Sequence, residues 1–166
     1  MVWSCLVSIL PGMAQTEKLT DYVNPFVGTD GYGNVYPGAQ IPFGGIQISP
    51  DTDSRFYDAA SGYKYNHLTL MGFSLTHLSG TGIPDLGDFL FIPGTGEMKL
   101  EPGTHEDPDQ GYRSRYSHDK EWASPNYYAV ELADYGVKAE MTSGVRSGMF
   151  RFTYPESDNA FIMICL

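Results

Sequence analysis

The residues able to do chemistry gather in a glycine-punctuated stretch, GFSLTHLSGTGIPDLGDFLFIP from Gly72 to Pro93, which sets His77, Ser79, Thr81, Asp85 and Asp88 around an entry into an apolar run. Imidazole, hydroxyl and carboxylate groups this close in sequence form a compact set of donors and acceptors suited to the hydroxyls of a sugar. A second stretch, VGTDGYGNVYPGAQIPFGGIQISPDT from Val27 to Thr52, holds six glycines and three prolines. Such a composition forces tight bends whose backbone amides can face outward, and on physical grounds alone it reads as a chain of turns.

Signatures of other chemistries do not complete themselves. Gly31-Tyr32-Gly33 runs on into Asn34-Val35-Tyr36, which breaks the dinucleotide fingerprint, and no phosphate-loop lysine or nucleophile-elbow serine occurs. Asp51-Thr52-Asp53 starts like a calcium loop but has Phe56 where that loop needs glycine and Gly62 where it needs glutamate. Two cysteines, Cys5 and Cys165, cannot build a disulfide framework or a paired-cysteine zinc site once Cys5 leaves with a leader peptide, so Cys165 reads as a small core residue. A net charge of -10 repels a polyanion, so no nucleic-acid partner is expected.

The elements that must carry these residues are strands. With 12 Tyr, 9 Phe, 19 Gly and 11 Pro, the 166-residue chain favours many short strands joined by tight turns, in one domain. The spacing predicts strands at 127–132, 137–142, 149–154 and 160–166, starting roughly ten residues apart as in a sandwich. Val137, Ala139 and Met141 alternate with Lys138, Glu140 and Thr142, which puts the apolar set on one face. Further strands are predicted at 46–49, 62–65, 89–92 and 97–100, and the polar, proline-broken stretch 101–111 as an exposed loop. Residues 161–166 read as an apolar strand needing neighbours on both sides, which predicts that the natural chain continues. Residues 1–14 combine an apolar run from Val2 to Leu10 with small residues at Gly12 and Ala14, the pattern of a signal peptide, so residues 15–166 form the domain and the protein is expected to be secreted or periplasmic. No segment approaches the ~20 apolar residues of a membrane span.

Ordered blocks add a resemblance. NPFVGTDGYGNVYPGAQIPFGGIQISPDT, SGYKY, LTHLSGTG with DLGD, YYAVEL and VKAEMTSGVRSGMFRFTYP resemble, in order, the N-terminal domain of glycoside hydrolase family 92, across nearly all of 24–166. The resemblance implies an antiparallel β-sandwich that packs against a following α/α barrel, with a mannose site between them. It implies a calcium-dependent, inverting exo-α-mannosidase acting on mannose-containing glycans. The acid, the base and the calcium ligands would lie in the barrel, with none in this chain. From the sandwich, Gly33, Asn34, His77, Asp85 and Asp88 become candidates for substrate binding. Asn34 equally suits a turn cap, the two aspartates suit loop-holding backbone contacts, and a lone histidine suits a structural role.

Two departures bear on the pocket. Leu75 replaces the first histidine of the FSHTHLSGTG pattern, and Tyr57-Asp58-Ala59-Ala60 stands where an aromatic-Asp-x-Cys block precedes SGY. Tyr57, with Asp58 beside it, still offers an aromatic face to the C–H side of a pyranose. Two other readings compete: a free-standing carbohydrate-binding sandwich without catalysis, and a structural sandwich with no ligand.

Overall fold

A computed structural model describes residues 17–53, 57–80 and 88–166, without the side chain of Asp58. The expected leader at 1–14, Cys5 and Asp85 lie outside the described residues. Ten strands follow in order: β1 Ser49–Asp51, β2 Thr69–Leu70, β3 Gly72–Ser74, β4 Leu90–Thr95, β5 Ser114–Arg115, β6 Glu121–Ser124, β7 Tyr127–Leu132, β8 Val137–Ser143, β9 Gly148–Thr153 and β10 Ala160–Cys165. Helix is confined, among the described residues, to four short 3-10 turns. None is long and apolar enough to cross a membrane.

The strands form two four-stranded antiparallel sheets, β1-β3-β4-β10 and β6-β7-β8-β9, with β2 and β5 as a separate pair. Their facing sides meet through Phe73 and Phe91 on one sheet and Phe150 and Phe152 on the other, with the Phe91 and Phe150 ring centroids 4.9 Å apart. Ile48, Tyr128, Val130, Val137, Ala139 and Met141 fill the layer behind them. The period-2 alternation of β8 therefore holds: its apolar set is core, and Lys138 and Thr142 face outward. Burying each large apolar side chain contributes roughly 1.5–3 kcal/mol, so this layer carries the sandwich.

Local chemistry sets the turns. Between β6 and β7 the chain reverses over Pro125 and Asn126, the latter at φ 60, and Asn126 then staples the end of β8 by accepting from Ser143 N at 3.1 Å and donating to Ser143 O at 2.9 Å. Asparagine tolerates the left-handed region because its short amide bonds locally.

Three predicted strands move or vanish. The one expected at 46–49 forms instead at Ser49–Asp51, since Gln47 N donates to Leu75 O and Ile48 makes an isolated bridge to Ala39. The stretch 62–65 is a turn, because Gly62 sits at φ 90 and its carbonyl receives Thr52 N. The stretch 97–100 bends away, since Gly96 at φ 83 ends the β4 ladder. Among the described residues strand β10 pairs with β4 alone, and Ile162 and Ile164 are exposed, as expected for an apolar strand short of a neighbour. The loop 101–111 is largely exposed as expected, with Pro108 tucked inward.

Candidate functional site

Strands β1 and β3 run side by side with Ser49 opposite Ser74, which brings the chain entering β1 against the chain leaving β3. His77 lies there, 2 % exposed. Its Nδ1–H donates to Gln47 O at 2.7 Å and its Nε2–H donates to Asp51 Oδ1 at 2.9 Å, while Ser74 Oγ–H donates to Asp51 Oδ2 at 2.7 Å. With the ring protonated both nitrogens donate, to a carbonyl and to a carboxylate, and the pair is then a buried imidazolium–carboxylate. Burial opposes charge on the ring, but the Asp51 carboxylate and the two hydrogen bonds outweigh it and raise His77 above its ordinary 6.5. Gly62 covers this pair. A Cβ there would sit 2.5 Å from Asp51 Oδ1 and 2.8 Å from His77 Cδ2, at a φ that side chains rarely adopt.

The glycine-rich loop closes on the other side. The Tyr36 ring packs 5.2 Å from the His77 ring, and burial pushes its phenol up to about 12. Gly80 N donates to Asn34 O at 2.6 Å, and Ser61 Oγ donates to Val35 O at 3.1 Å. The Asn34 and His77 loops therefore share one rim. Gly33 must be glycine, because a Cβ would meet Gly28 O at 2.0 Å. Asn34 stands at φ 47, nearly buried, with its Oδ1 lacking a hydrogen-bond partner among the described residues. Buried polar atoms are nearly always bonded, so a lone acceptor here marks a place for a donor from water or ligand.

The remaining candidates sort by exposure. Tyr57, on a 3-10 turn at Tyr57–Ala59, is 63 % exposed beside the exposed Tyr32 ring. Asp58 shares that turn. Asp88 is exposed just ahead of β4. Thus Gly33, Asn34 and His77 come together, with His77 committed to holding the loop and reaching a ligand only through it.

Sequence reasoning missed Asp51, whose partner lies 26 residues away. It also missed the buried carboxylate of Glu121, which accepts from Tyr63 OH at 2.9 Å, from Tyr128 OH and from His118 Nδ1–H at 2.6 Å. Burial, then the Glu121 charge, pushes the Tyr128 phenol well up, so it stays a donor. His118 stacks on Tyr65 at 3.9 Å. No local pattern announces that cluster. A cleft of about 390 Å³ lies elsewhere, beside Glu97, Asp109, Asp134 and Tyr135 at the β7–β8 turn, and it shares none of the rim residues. Its two aspartates are already tied by Arg115, so the rim and not this cleft is the better candidate.

Comparison with known proteins follows the same lines. The model of the glycosyl hydrolase family 92 N-terminal domain matches residues 22–166. A protein of Arthroderma benhamiae described as an uncharacterized secreted glycosidase is 30% identical over 139 residues, covering 82% of this chain and 17% of its own length. The structure of the GH92 family glycosyl hydrolase CcMan5 is 32% identical and superposes with a TM-score of 0.67, over 82% of this chain and 19% of that one. The family GH92 inverting mannosidase BT2199 from Bacteroides thetaiotaomicron is 27% identical, with a TM-score of 0.68 over 90% of this chain and 20% of that one. The chain thus spans about a fifth or less of each of these relatives.

Proposed function

The chain belongs to the glycosyl hydrolase family 92 N-terminal domain family, a family of glycosidases, and from that membership we propose that it forms one wall of the sugar pocket in a secreted, exo-acting α-mannosidase. The observation that carries this reading is the rim itself, where the Asn34 loop and the His77 loop are bonded together beside the exposed Tyr57. Asn34 offers a desolvated acceptor to a mannose hydroxyl, Gly33 lets the sugar approach the backbone, and Tyr57 packs on a C–H face. Asp58, Asp85 and Asp88 are further candidates for hydroxyl contacts.

Inverting hydrolysis needs a carboxylic acid and a carboxylate about 6.5–9.5 Å apart across the scissile bond. Four carboxylates are buried among the described residues, and each faces internal partners: Asp51 accepts from His77 and Ser74, Asp53 lies beside Arg113 and His105, Glu121 accepts from Tyr63 and His118, and Glu140 accepts from Arg151 and Tyr127. We therefore assign the acid and the base to an α/α barrel outside these residues. Calcium belongs to the same proposal. Among the described residues no three His, Cys, Asp or Glu stand together as cation ligands, and the proposal assigns the ion to the barrel as well.

The test is mannose release from α-mannosides, with the anomer of the first product read by NMR, for the full-length protein and for residues 15–166 alone. The full-length protein should release β-mannose first, from chain ends, and lose activity to a calcium chelator. The short chain should release none. Retention of configuration, internal cleavage, or release by the short chain would overturn the reading. The binding-module alternative is favoured by one observation, the exposed aromatic on a rigid seat; it requires mannoside binding by the short chain and no release by the long one.

A further inference from the structure

Phe43 is the most exposed large apolar side chain among the described residues, at 103 %, and it stands at φ 60. A side chain in the left-handed region is strained, and this one gains no packing in return. It holds the third position of the turn 41–44, which Gly44 N closes onto Ile41 O at 3.1 Å behind Pro42. Glycine is the usual occupant of that position when its φ is positive, and here two glycines stand directly after it. The turn is braced. Gln47 Nε2 donates to Gly44 O at 3.2 Å, and Gly45 N donates to Val145 O at 2.8 Å, in the turn between β8 and β9 that Gly144 N closes onto Ser147 O at 2.7 Å. That second turn presents its own apolar side chain, Val145, 62 % exposed. Two turns reached from different sheets are thus stitched together at one end of the sandwich, each holding an apolar group in solvent.

Shape and chemistry say what meets them. Phe43 carries no donor or acceptor with which to orient a polar ligand, and Val145 adds only apolar surface. A ring that projects clear of the surface fits a hole and not a flat face, which is how anchor residues seat in protein interfaces. Position names the partner. Gln47, four residues on, gives its carbonyl to His77 and its N–H to Leu75 O, so the ring stands within about 14 Å of chain from the rim. The rim is the sandwich's wall of the sugar pocket proposed above, and the facing wall belongs to the catalytic domain assigned to chain outside the described residues. In both solved relatives most of the chain lies outside the part that this one matches.

We propose that Phe43, with Val145 on the neighbouring turn, is the anchor by which the sandwich docks onto that catalytic domain, the ring seated in an apolar socket there. The strained turn holds the ring out before docking, so little freedom is lost when it seats. The inference rests on the reading above, which supplies the domain. Its test uses the full-length protein. Hydroxyl-radical footprinting should oxidise Phe43 nearly as slowly as the fully buried Phe73, whereas a rate nearer that of Phe in a free peptide of residues 39–47 overturns the proposal. Phe43→Asn relieves the backbone and removes the ring. It should raise hydrogen exchange about 10- to 100-fold at Gly45 N and in one patch of chain beyond residue 166. Phe43→Leu, still apolar, should stay closer to the parent. Exchange in Phe43→Asn that holds, or rises only within residues 17–166, overturns the socket, as does a Phe43→Leu variant as fast as Phe43→Asn. Protection of Phe43 that vanishes when a dimer is diluted to monomer gives the ring to a second copy and overturns it too. A parent that releases mannose from no α-mannoside would instead remove the mannosidase reading, and this inference with it.

Discussion

Replacing Asp51 by alanine tests whether the rim stands on its buried ion pair. The His77 ring would keep its Gln47 acceptor but lose the carboxylate 2.9 Å from Nε2, and Ser74 Oγ–H would lose its acceptor too. Removing one partner of a buried pair costs about 3–5 kcal/mol. A domain of this size loses roughly 2–4 °C in Tm per kcal/mol, which gives a fall of about 6–20 °C. The pH dependence is the sharper signature. Folded His77 titrates above 6.5, so its contribution is complete below about pH 6.5 and is lost as pH rises through the folded value. In Asp51→Ala burial acts without a counter-charge and brings the folded value below that of the unfolded chain, so the variant loses stability as pH falls. Urea midpoints for parent and variant, taken from about pH 5 to about pH 9, give a difference curve in which the other titrating groups largely cancel. The difference should be largest at the acid end and shrink with rising pH. A flat or rising curve, or a penalty under about 1 kcal/mol, would refute the assignment of a charged, load-sharing His77.

The same seat predicts that Gly62→Ala, strained at φ 90 and with its Cβ 2.5 Å from Asp51 Oδ1, loses about 2–4 kcal/mol in thermal or urea unfolding. Asn34→Gly suits φ 47 and removes a buried acceptor without a partner among the described residues, so stability should hold or rise by up to about 1 kcal/mol while mannose release by the full-length enzyme falls; a stable variant with full turnover would make Asn34 a turn residue. Tyr57→Ala, at an exposed position, should change stability by less than about 0.5 kcal/mol yet lower kcat/KM roughly 5-fold, and unaltered kinetics would leave it an ordinary surface tyrosine.

The strands from Tyr127 onward were legible because their signals are local. Alternation in 137–142 and turn residues every ten positions determine β7 to β10 to within about a residue or two, the ordinary uncertainty of strand ends. The strands expected at 62–65 and 97–100 failed for the complementary reason. Their composition suits strands, but left-handed Gly62 and Gly96 take the backbone elsewhere, and a lone glycine in a short apolar run does not announce its φ. At the rim, the candidates were visible as residue types, and the resemblance grouped Asn34 with His77. Their chemistry was not visible. The Asp51 whose charge favours protonated His77 sits in a segment that reads as a failed calcium loop, and the donors around Glu121 come from positions up to 58 residues apart. Pairing across such distances is decided by sheet register, which sequence alone leaves open.

The rim has two layers, and they divide the work. Below, the His77–Asp51 pair, Gly62 and the partly buried Tyr36 ring fix the backbone, so the cost of ordering the loops is met during folding instead of at binding. Above, Asn34 and the exposed Tyr57 are the residues proposed to meet the sugar, and in that role they gain most from a seat that does not move. A substitution in the lower layer should therefore carry stability and turnover down together, because the loop geometry is what it supplies. One in the upper layer should alter substrate preference at nearly constant stability, because Tyr57 contributes little to packing in the absence of ligand. If lower-layer variants kept wild-type preference and rate while losing several kcal/mol, the rim would be a stable corner of the sandwich with no part in the pocket.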